Sequence, residues 1–247
     1  LDGTLLNGES KVDKATAEAI QTLKNNGYEP FIATGRSPAE TRDIMESANI
    51  HSGIFMNGQV VLYQGKLVYS SEIPTETVER FHQMIKEDGY GLTAYNNKEF
   101  YLVESSAGAK DAYGFIHTNP PALNADFYKE NPINMMLFIS LPPAEDKYKV
   151  AFPNLDFLRN TPYSVDVISK GNSKAEGIKR FLEHLNQKDA ETYAFGDGPN
   201  DIEMLQAVTH PVAMGNALPV LKEIAEFITT NNTDNGIVNG LKHYGLI

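Results

Sequence analysis

Short apolar strands alternate with amphipathic helices, break off near Pro74 and resume near Lys174. That pattern restricts the chain to a parallel sheet covered by helices on both faces and interrupted once. Residues 11–26 predict a helix with Ala15, Ala19, Ile20 and Leu23 on one face and Gly27 at its end. Residues 28–33 predict a strand running into Thr34-Gly35-Arg36, residues 37–49 a second helix, and residues 54–56 another strand. Residues 60–63 and 66–69, joined by Gln64-Gly65, read as a hairpin. After Pro74 the alternation is lost: helices are expected over 77–86 and 144–152, and strands over 91–95, 100–103, 133–141 and 163–168. Beyond residue 169 it returns as helix 174–185, strand 192–195, helix 201–208 and strand 212–214. The expected organisation is an α/β core formed by residues 1–76 and 169–247, with an independent α+β domain inserted over 77–168.

Composition narrows the partners. Acidic residues number 32 against 21 basic, a net charge of -11. Such a field repels nucleic acid and anionic membranes, so a phosphorylated ligand needs a local positive site, which a divalent cation can supply. Cysteine is absent, which excludes disulfides, thiolate metal sites and a cysteine nucleophile and suits a cytoplasmic setting. The longest apolar run, Met135 to Leu141, falls far short of the roughly 20 residues that span a bilayer. His51, His82, His117, His184, His210 and His243 do not cluster at metal-ligand spacing and read as surface or packing residues. Met135 and Met136 are expected to pack inside a strand of the inserted domain.

Four segments at strand or loop ends of the core carry the chemistry. They are Asp2-Gly3-Thr4, Thr34-Gly35-Arg36, Lys174 at a helix start, and Gly196-Asp197-Gly198-Pro199-Asn200-Asp201. In open α/β sheets, ligands bind beyond the carboxyl ends of the strands. Carboxylates at Asp2, Asp197 and Asp201 can form the hard oxygen site that magnesium prefers. Thr34, with the backbone N–H groups that follow from Gly35 on, can cradle phosphate oxygens. Lys174 adds a point charge where a helix dipole also favours an anion. Phosphoryl transfer asks chiefly for positioning and charge neutralisation, and this set supplies both. Taken singly, each segment has a plain reading as a turn, a helix cap or a solvated lysine; all four in order are what points to a site. Asn57 and Asn216 also follow apolar strands, where they either line the site or serve ordinary turns.

In this order the segments resemble the four signature motifs of haloacid dehalogenase-like hydrolases. Leu1-Asp2-Gly3-Thr4-Leu5-Leu6, Ala33-Thr34-Gly35-Arg36, Asn57-Gly58 and Ser173-Lys174 are most similar to the Cof-type phosphatases. So are the run from Gly196 to Leu205 and Ala213-Met214-Gly215-Asn216-Ala217. The resemblance spans the core, and the inserted domain stands in the place of a type IIB cap. It implies the Rossmann-like haloacid dehalogenase fold and a magnesium-dependent phosphatase (cofactor Mg2+) acting on a small phosphorylated metabolite, typically a sugar phosphate.

Under the resemblance Asp2 is the general acid/base, with its main-chain carbonyl on magnesium, and Asp197 is a metal ligand. Thr34 and Gly35 hold the phosphoryl group, Lys174 neutralises it, and Asn200 and Asp201 steady the metal and the lysine. Asp234-Asn235-Gly236 resembles the family's closing segment before its last helix. The family motif is Asp-x-Asp-Gly-Thr, and Leu1 fills its middle position, so the nucleophilic aspartate and its strand are expected immediately ahead of Leu1. That aspartate would be phosphorylated while Asp2 protonates the leaving oxygen, after which Asp2 activates water. The inserted domain is expected to act as a lid hinged near Ile73-Pro74 and Ser169-Lys170, with Tyr95, Asn96, Asn97 and His117 as candidates to face the site. A sugar phosphomutase shares the same core chemistry, and a phosphometabolite sensor is the reading if the nucleophile is lacking. The expected state is a monomer or weak homo-oligomer.

Overall fold

The structure, a computed structural model, describes residues 1–116 and 118–247, with the backbone alone at Asn160. His117 lies outside the described residues. From the start the elements are α1 (Lys14–Asn25), β1 (Ile32–Ala33), α2 (Pro38–Ala48), β2 (Gly53–Phe55), β3 (Val60–Tyr63) and β4 (Lys66–Ser70). Then come α3 (Thr75–Asp88), β5 (Gly91–Tyr95), β6 (Phe100–Glu104), α4 (Ala109–Phe115), α5 (Phe127–Glu130), β7 (Met135–Ile139), α6 (Glu145–Ala151), β8 (Leu155–Thr161) and β9 (Ser164–Ser169). The chain closes with α7 (Lys174–His184), β10 (Tyr193–Gly196), α8 (Ile202–Ala207), β11 (His210–Ala213), α9 (Pro219–Ile224), β12 (Phe227–Ile228) and α10 (Gly236–His243). Two compact units result, one of residues 1–36, 40–69 and 173–247, the other of residues 37–39 and 70–172. The units divide at 69/70 and 172/173, where the sequence suggests 76/77 and 168/169. No helix of the described residues is long and apolar enough to cross a membrane.

In the first unit β1 pairs parallel with β2, and β2 antiparallel with β3, in the sheet β1-β2-β3-β4. A second sheet, β10-β11-β12, is parallel throughout. The sequence predicts one parallel sheet; the structure has two, with β1 and β10 as their edges. An apolar cavity of about 440 Å³ separates them, lined by Leu5, Ile20, Ile32, Ile178 and Phe195 among others. Leu1 lines the same cavity. Helix α1 buries Thr16, Ala19, Ile20 and Leu23, the predicted face with Thr16 in place of Ala15. Its Ala19 and Leu23 pack on Val238 and Leu241 of α10, which begins at Gly236 behind Asp234-Asn235.

The second unit is a five-stranded antiparallel sheet, β6-β5-β7-β9-β8. On one face α3 and α6 seal a core of Val78, Phe81, Ile85, Phe138, Tyr148, Val165 and Val167. Phe81 meets Phe138 edge-on at 5.9 Å between ring centroids, a geometry favoured by the ring quadrupoles. On the other face Ala109, Ala112 and Tyr113 of α4 pack with Leu102 and Ile139. Met135 and Met136 are both buried in β7. Strand β8 is absent from the sequence reading, because its charged residues Asp156 and Arg159 suggest a surface loop. Its pairing is specified from outside, through the ladder to β9 and through Arg159.

The Arg159 guanidinium grips Glu145 of α6 through Nε–Oε1 at 2.8 Å and Nη2–Oε2 at 2.6 Å, and donates to the Ser140 carbonyl at 3.1 Å. Hydrogen bonding from Arg159 outweighs burial and holds the Glu145 carboxyl below the usual range. The pair therefore stabilises fully above the unfolded glutamate value, about 4.3, and its contribution fades as pH falls through the lower folded value. Thermal melts should show Glu145→Gln less stable than wild type at pH 7, with the gap closing below about pH 4. A gap independent of pH would contradict this.

Candidate functional site

Every residue singled out for chemistry lies in the first unit. At the end of β1 the Thr34 N–H reaches the Ile54 carbonyl at 2.9 Å, extending the parallel ladder one step past the strand. The Thr34 Oγ1 then accepts the Arg36 N–H at 3.0 Å, which folds Thr34-Gly35-Arg36 into a tight turn. The next loop is laced to this one: Met56 N–H donates to the Arg36 carbonyl and Asn57 N–H to the Thr34 carbonyl, each at 3.0 Å. Met56, Asn57 and Gly58 all have left-handed backbones, with φ of 50°, 53° and 95°. Two non-glycine residues in that region hold only where surrounding contacts over-determine them, and the buried lacing supplies those contacts.

Gly58 serves a second purpose. A Cβ there would lie 2.8 Å from the Ser173 carbonyl carbon and 3.1 Å from its nitrogen. Its absence lets the start of α7 press against the loop. Ser173 caps that helix by accepting the Glu176 N–H on Oγ at 3.3 Å, so Lys174 is the first helical residue. Gly58→Ala should therefore push Lys174 out of register, costing about 1–3 kcal/mol of stability together with most activity. Urea unfolding and turnover, measured side by side, check this; wild-type values of both would refute the packing role.

Lys174 is buried, and its Nζ lies 2.6 Å from Asp201 Oδ1. The other oxygen of Asp201 accepts the N–H groups of Asp197 and Gly198 at 3.0 and 3.1 Å. Burial pushes the Asp201 carboxyl up, but the Lys174 ammonium and the two backbone donors outweigh it and hold the group below its ordinary range. The same contacts turn the chain after β10, so Asp197 projects from the strand end.

The Asp197 Oδ1 accepts from the Thr4 hydroxyl. Gly3, at φ 73°, approaches so closely that a Cβ would sit 2.8 Å from the Asp197 carboxyl carbon. Asn216 fastens this loop by donating to the Gly3 carbonyl at 2.7 Å and accepting the Asn232 N–H at 2.9 Å. Burial raises the Asp197 carboxyl above its usual value, against the opposing Thr4 hydrogen bond.

Hydrogen bonds thus join the predicted residues and their neighbours in two runs: Asp2 to Arg36 to Thr34 to Asn57 to Asn200 (Nδ2 to Asn57 Oδ1, 3.3 Å), and Lys174 to Asp201 to Asp197 to Thr4. No group of three acidic or histidine side chains among the described residues is placed to hold a metal, and the carboxylates of Asp201 and Asp2 have other partners. Asp201 is committed to Lys174 and two N–H groups. Asp2 lies in the guanidinium fork of Arg36, with Nη2–Oδ1 at 2.6 Å and Nε–Oδ2 at 3.1 Å.

The carboxylate of Asp197 is half-buried and, unlike those of Asp2 and Asp201, is bonded by no ammonium or guanidinium among the described residues. An oxygen-only site with one carboxylate fits magnesium, which retains several waters and binds phosphate oxygens. Thr4, Gly58 and Arg36 are site-building residues to which the sequence reading gave no role. Thr4 and Arg36 sat inside quoted motifs, but their partners lie 193 and 34 residues away, so adjacency gave no signal.

Comparison with known proteins bears on this arrangement. Residues 1–241 match the family model described as haloacid dehalogenase-like hydrolase. The chain is 34% identical to YkrA of Bacillus subtilis (strain 168), over 100% of this chain and 96% of that protein. A crystal structure from Geobacillus kaustophilus HTA426 superposes with a TM-score of 0.93 at 32% identity, covering 99% of this chain and 96% of the other. BT4131, described as a subclass IIB sugar phosphatase, superposes with a TM-score of 0.85 at 28% identity, covering 100% and 97%.

Proposed function

This chain belongs to the haloacid dehalogenase-like hydrolases, and on that premise we propose that it is a magnesium-dependent phosphatase hydrolysing a small sugar-phosphate-like metabolite through an aspartyl-phosphate. The observation that carries the reading is the buried Lys174–Asp201 pair, continuous through backbone N–H groups with Asp197 and Thr4. A lysine held at 4% exposure by one carboxylate has ammonium protons left for an anion, and little else in a buried site calls for that charge. BT4131, a sugar phosphatase by its description, supports the substrate class.

The residues divide the work as follows. Thr34 accepts a backbone N–H on its oxygen, so its own hydroxyl proton can point to a phosphoryl oxygen, next to the Gly35 N–H. Lys174 offsets charge on the phosphoryl group, and Asn200, steadied by Asn57, holds the loop carrying Asp197 and Asp201. Magnesium, bound by the Asp197 carboxylate and the Asp2 main-chain carbonyl, would neutralise phosphoryl charge. In the first step the nucleophile would be an aspartate carboxylate, as in the family motif, attacking phosphorus. The bond to the leaving oxygen breaks, and Asp2 gives that oxygen a proton. In the second step Asp2 takes a proton from water as the water oxygen attacks phosphorus, and the acyl-phosphate P–O bond breaks to restore the carboxylate.

Phosphate release from a panel of sugar phosphates, with magnesium and with excess chelator, tests the proposal. Release that needs magnesium is expected. A sugar bisphosphate formed without free phosphate would make the protein a mutase instead, and no turnover with any member would remove the catalytic reading.

A further inference from the structure

The mechanism above leaves the ion pair between Arg36 and Asp2 without a task. We infer that Arg36 is a positioning residue: its guanidinium fork orients Asp2 and stabilises the carboxylate that forms as Asp2 gives its proton to the leaving group. The inference rests on Asp2 being the acid/base of the proposed phosphatase.

The geometry is two-pronged, with Nη2 at 2.6 Å from Oδ1 and Nε at 3.1 Å from Oδ2. A planar fork of this kind sets the orientation of a carboxylate, which a single lysine contact does not. Orientation is what Asp2 lacks by itself. Its side chain is 61% exposed, on a loop whose other anchors are made by Thr4 and Gly3 rather than by Asp2. Arg36, in contrast, stands on a fixed base. Its N–H donates to Thr34 Oγ1 and its carbonyl accepts the Met56 N–H, both at 3.0 Å, and the buried Ser37 follows it. The turn that presents Thr34 to a phosphoryl group therefore also sets where the Asp2 carboxylate stands, which couples the binding group to the proton-transfer group.

A role in stability does not account for the pair. Ion pairs between partly exposed side chains contribute little to folding, and this one has partners 33% and 61% exposed. A catalytic function acting through Asp2 makes a sharper demand. Proton donation matters when the departing oxygen is a poor leaving group and matters little when it departs as a stable anion.

The test compares wild type, Arg36→Ala and Arg36→Lys on p-nitrophenyl phosphate and on the alkyl phosphate that wild type hydrolyses fastest, with magnesium present throughout. For Arg36→Ala, kcat on the alkyl phosphate should fall by about 10-fold to 100-fold, with KM changed less than about threefold. The rapid first release of p-nitrophenolate should stay near the wild-type rate, and added guanidinium chloride at low millimolar concentration should restore part of the lost alkyl turnover. Arg36→Lys should recover less than half of the loss, and both variants should melt with wild type. A rise in KM with kcat intact would make Arg36 a substrate ligand and overturn the inference. Equal losses on both substrates, or no loss, would overturn it as well. If wild type itself releases no phosphate, the phosphatase reading falls first, an outcome distinct from all of these.

Discussion

Lys174→Met should lose about 3–5 kcal/mol of stability along with turnover. Lys174 and Asp201 retain 4% and 8% side-chain exposure, and their charged atoms are 2.6 Å apart. Removing the ammonium leaves a carboxylate in a site too dry to solvate it, and that uncompensated charge accounts for most of the loss. The double variant Lys174→Met/Asp201→Asn removes both charges and keeps an oxygen for the Asp197 and Gly198 N–H groups. It should regain at least half of the lost stability and none of the lost turnover. Urea unfolding of the four proteins as a double-mutant cycle measures this. The pH dependence follows from the direction of the Asp201 shift. A carboxyl held below its ordinary value stabilises the fold above the unfolded aspartate value, about 3.9, and that stabilisation is lost as pH falls through the folded value. The difference between wild type and Lys174→Met should therefore shrink in acid. Additive losses in the cycle would mean that the two residues do not act as a pair.

Asp197→Asn should separate activity from stability in the opposite sense. Turnover is expected to fall about 100-fold or more, the equivalent of roughly 3 kcal/mol of transition-state stabilisation. The fold should not suffer. Burial raises the Asp197 carboxyl, so the folded state binds its proton more tightly than the unfolded chain. Without metal the ionised group opposes folding once pH exceeds the unfolded value, about 3.9. An amide keeps an acceptor for the Thr4 hydroxyl and carries no charge. In chelator at pH 7, Asp197→Asn should melt at or above wild type; added magnesium should raise the wild-type melting temperature and leave the variant unmoved. A site that sacrifices stability for function behaves in this way. If the variant melts well below wild type in chelator, Asp197 is a structural residue and the metal assignment goes with it.

The sequence reading reached furthest where local pattern and chemistry agree. The helix over 14–25 was legible from its apolar face, and the start of α7 at Lys174 from Ser173 and the helical run behind it. Three of the four segments were legible because each pairs a polar side chain with glycine where a turn fits, and Lys174 was legible from the helix it opens. Long-range placement was not legible. That Gly58 makes room for the Ser173 backbone depends on two segments more than a hundred residues apart in sequence. That Asp2 turns to Arg36 instead of joining Asp197 depends on which partner can offer two donors in one plane, a matter of geometry that residue type does not settle. Strand β8 shows the same limit, since its ladder to β9 and the clasp of Arg159 on Glu145 override a charged composition. The two-residue strand β12 is fixed by pairing with β11 and by the stacking of Phe227 on His243.

The central claim is that these loops build one phosphoryl site. A crystal structure of the protein with magnesium and orthovanadate measures that directly. A single vanadate within hydrogen-bonding distance of both Lys174 Nζ and Thr34 Oγ1 is expected, with the magnesium held by the Asp197 carboxylate. Vanadate bound elsewhere, or a magnesium ion that Asp197 does not touch, would contradict it.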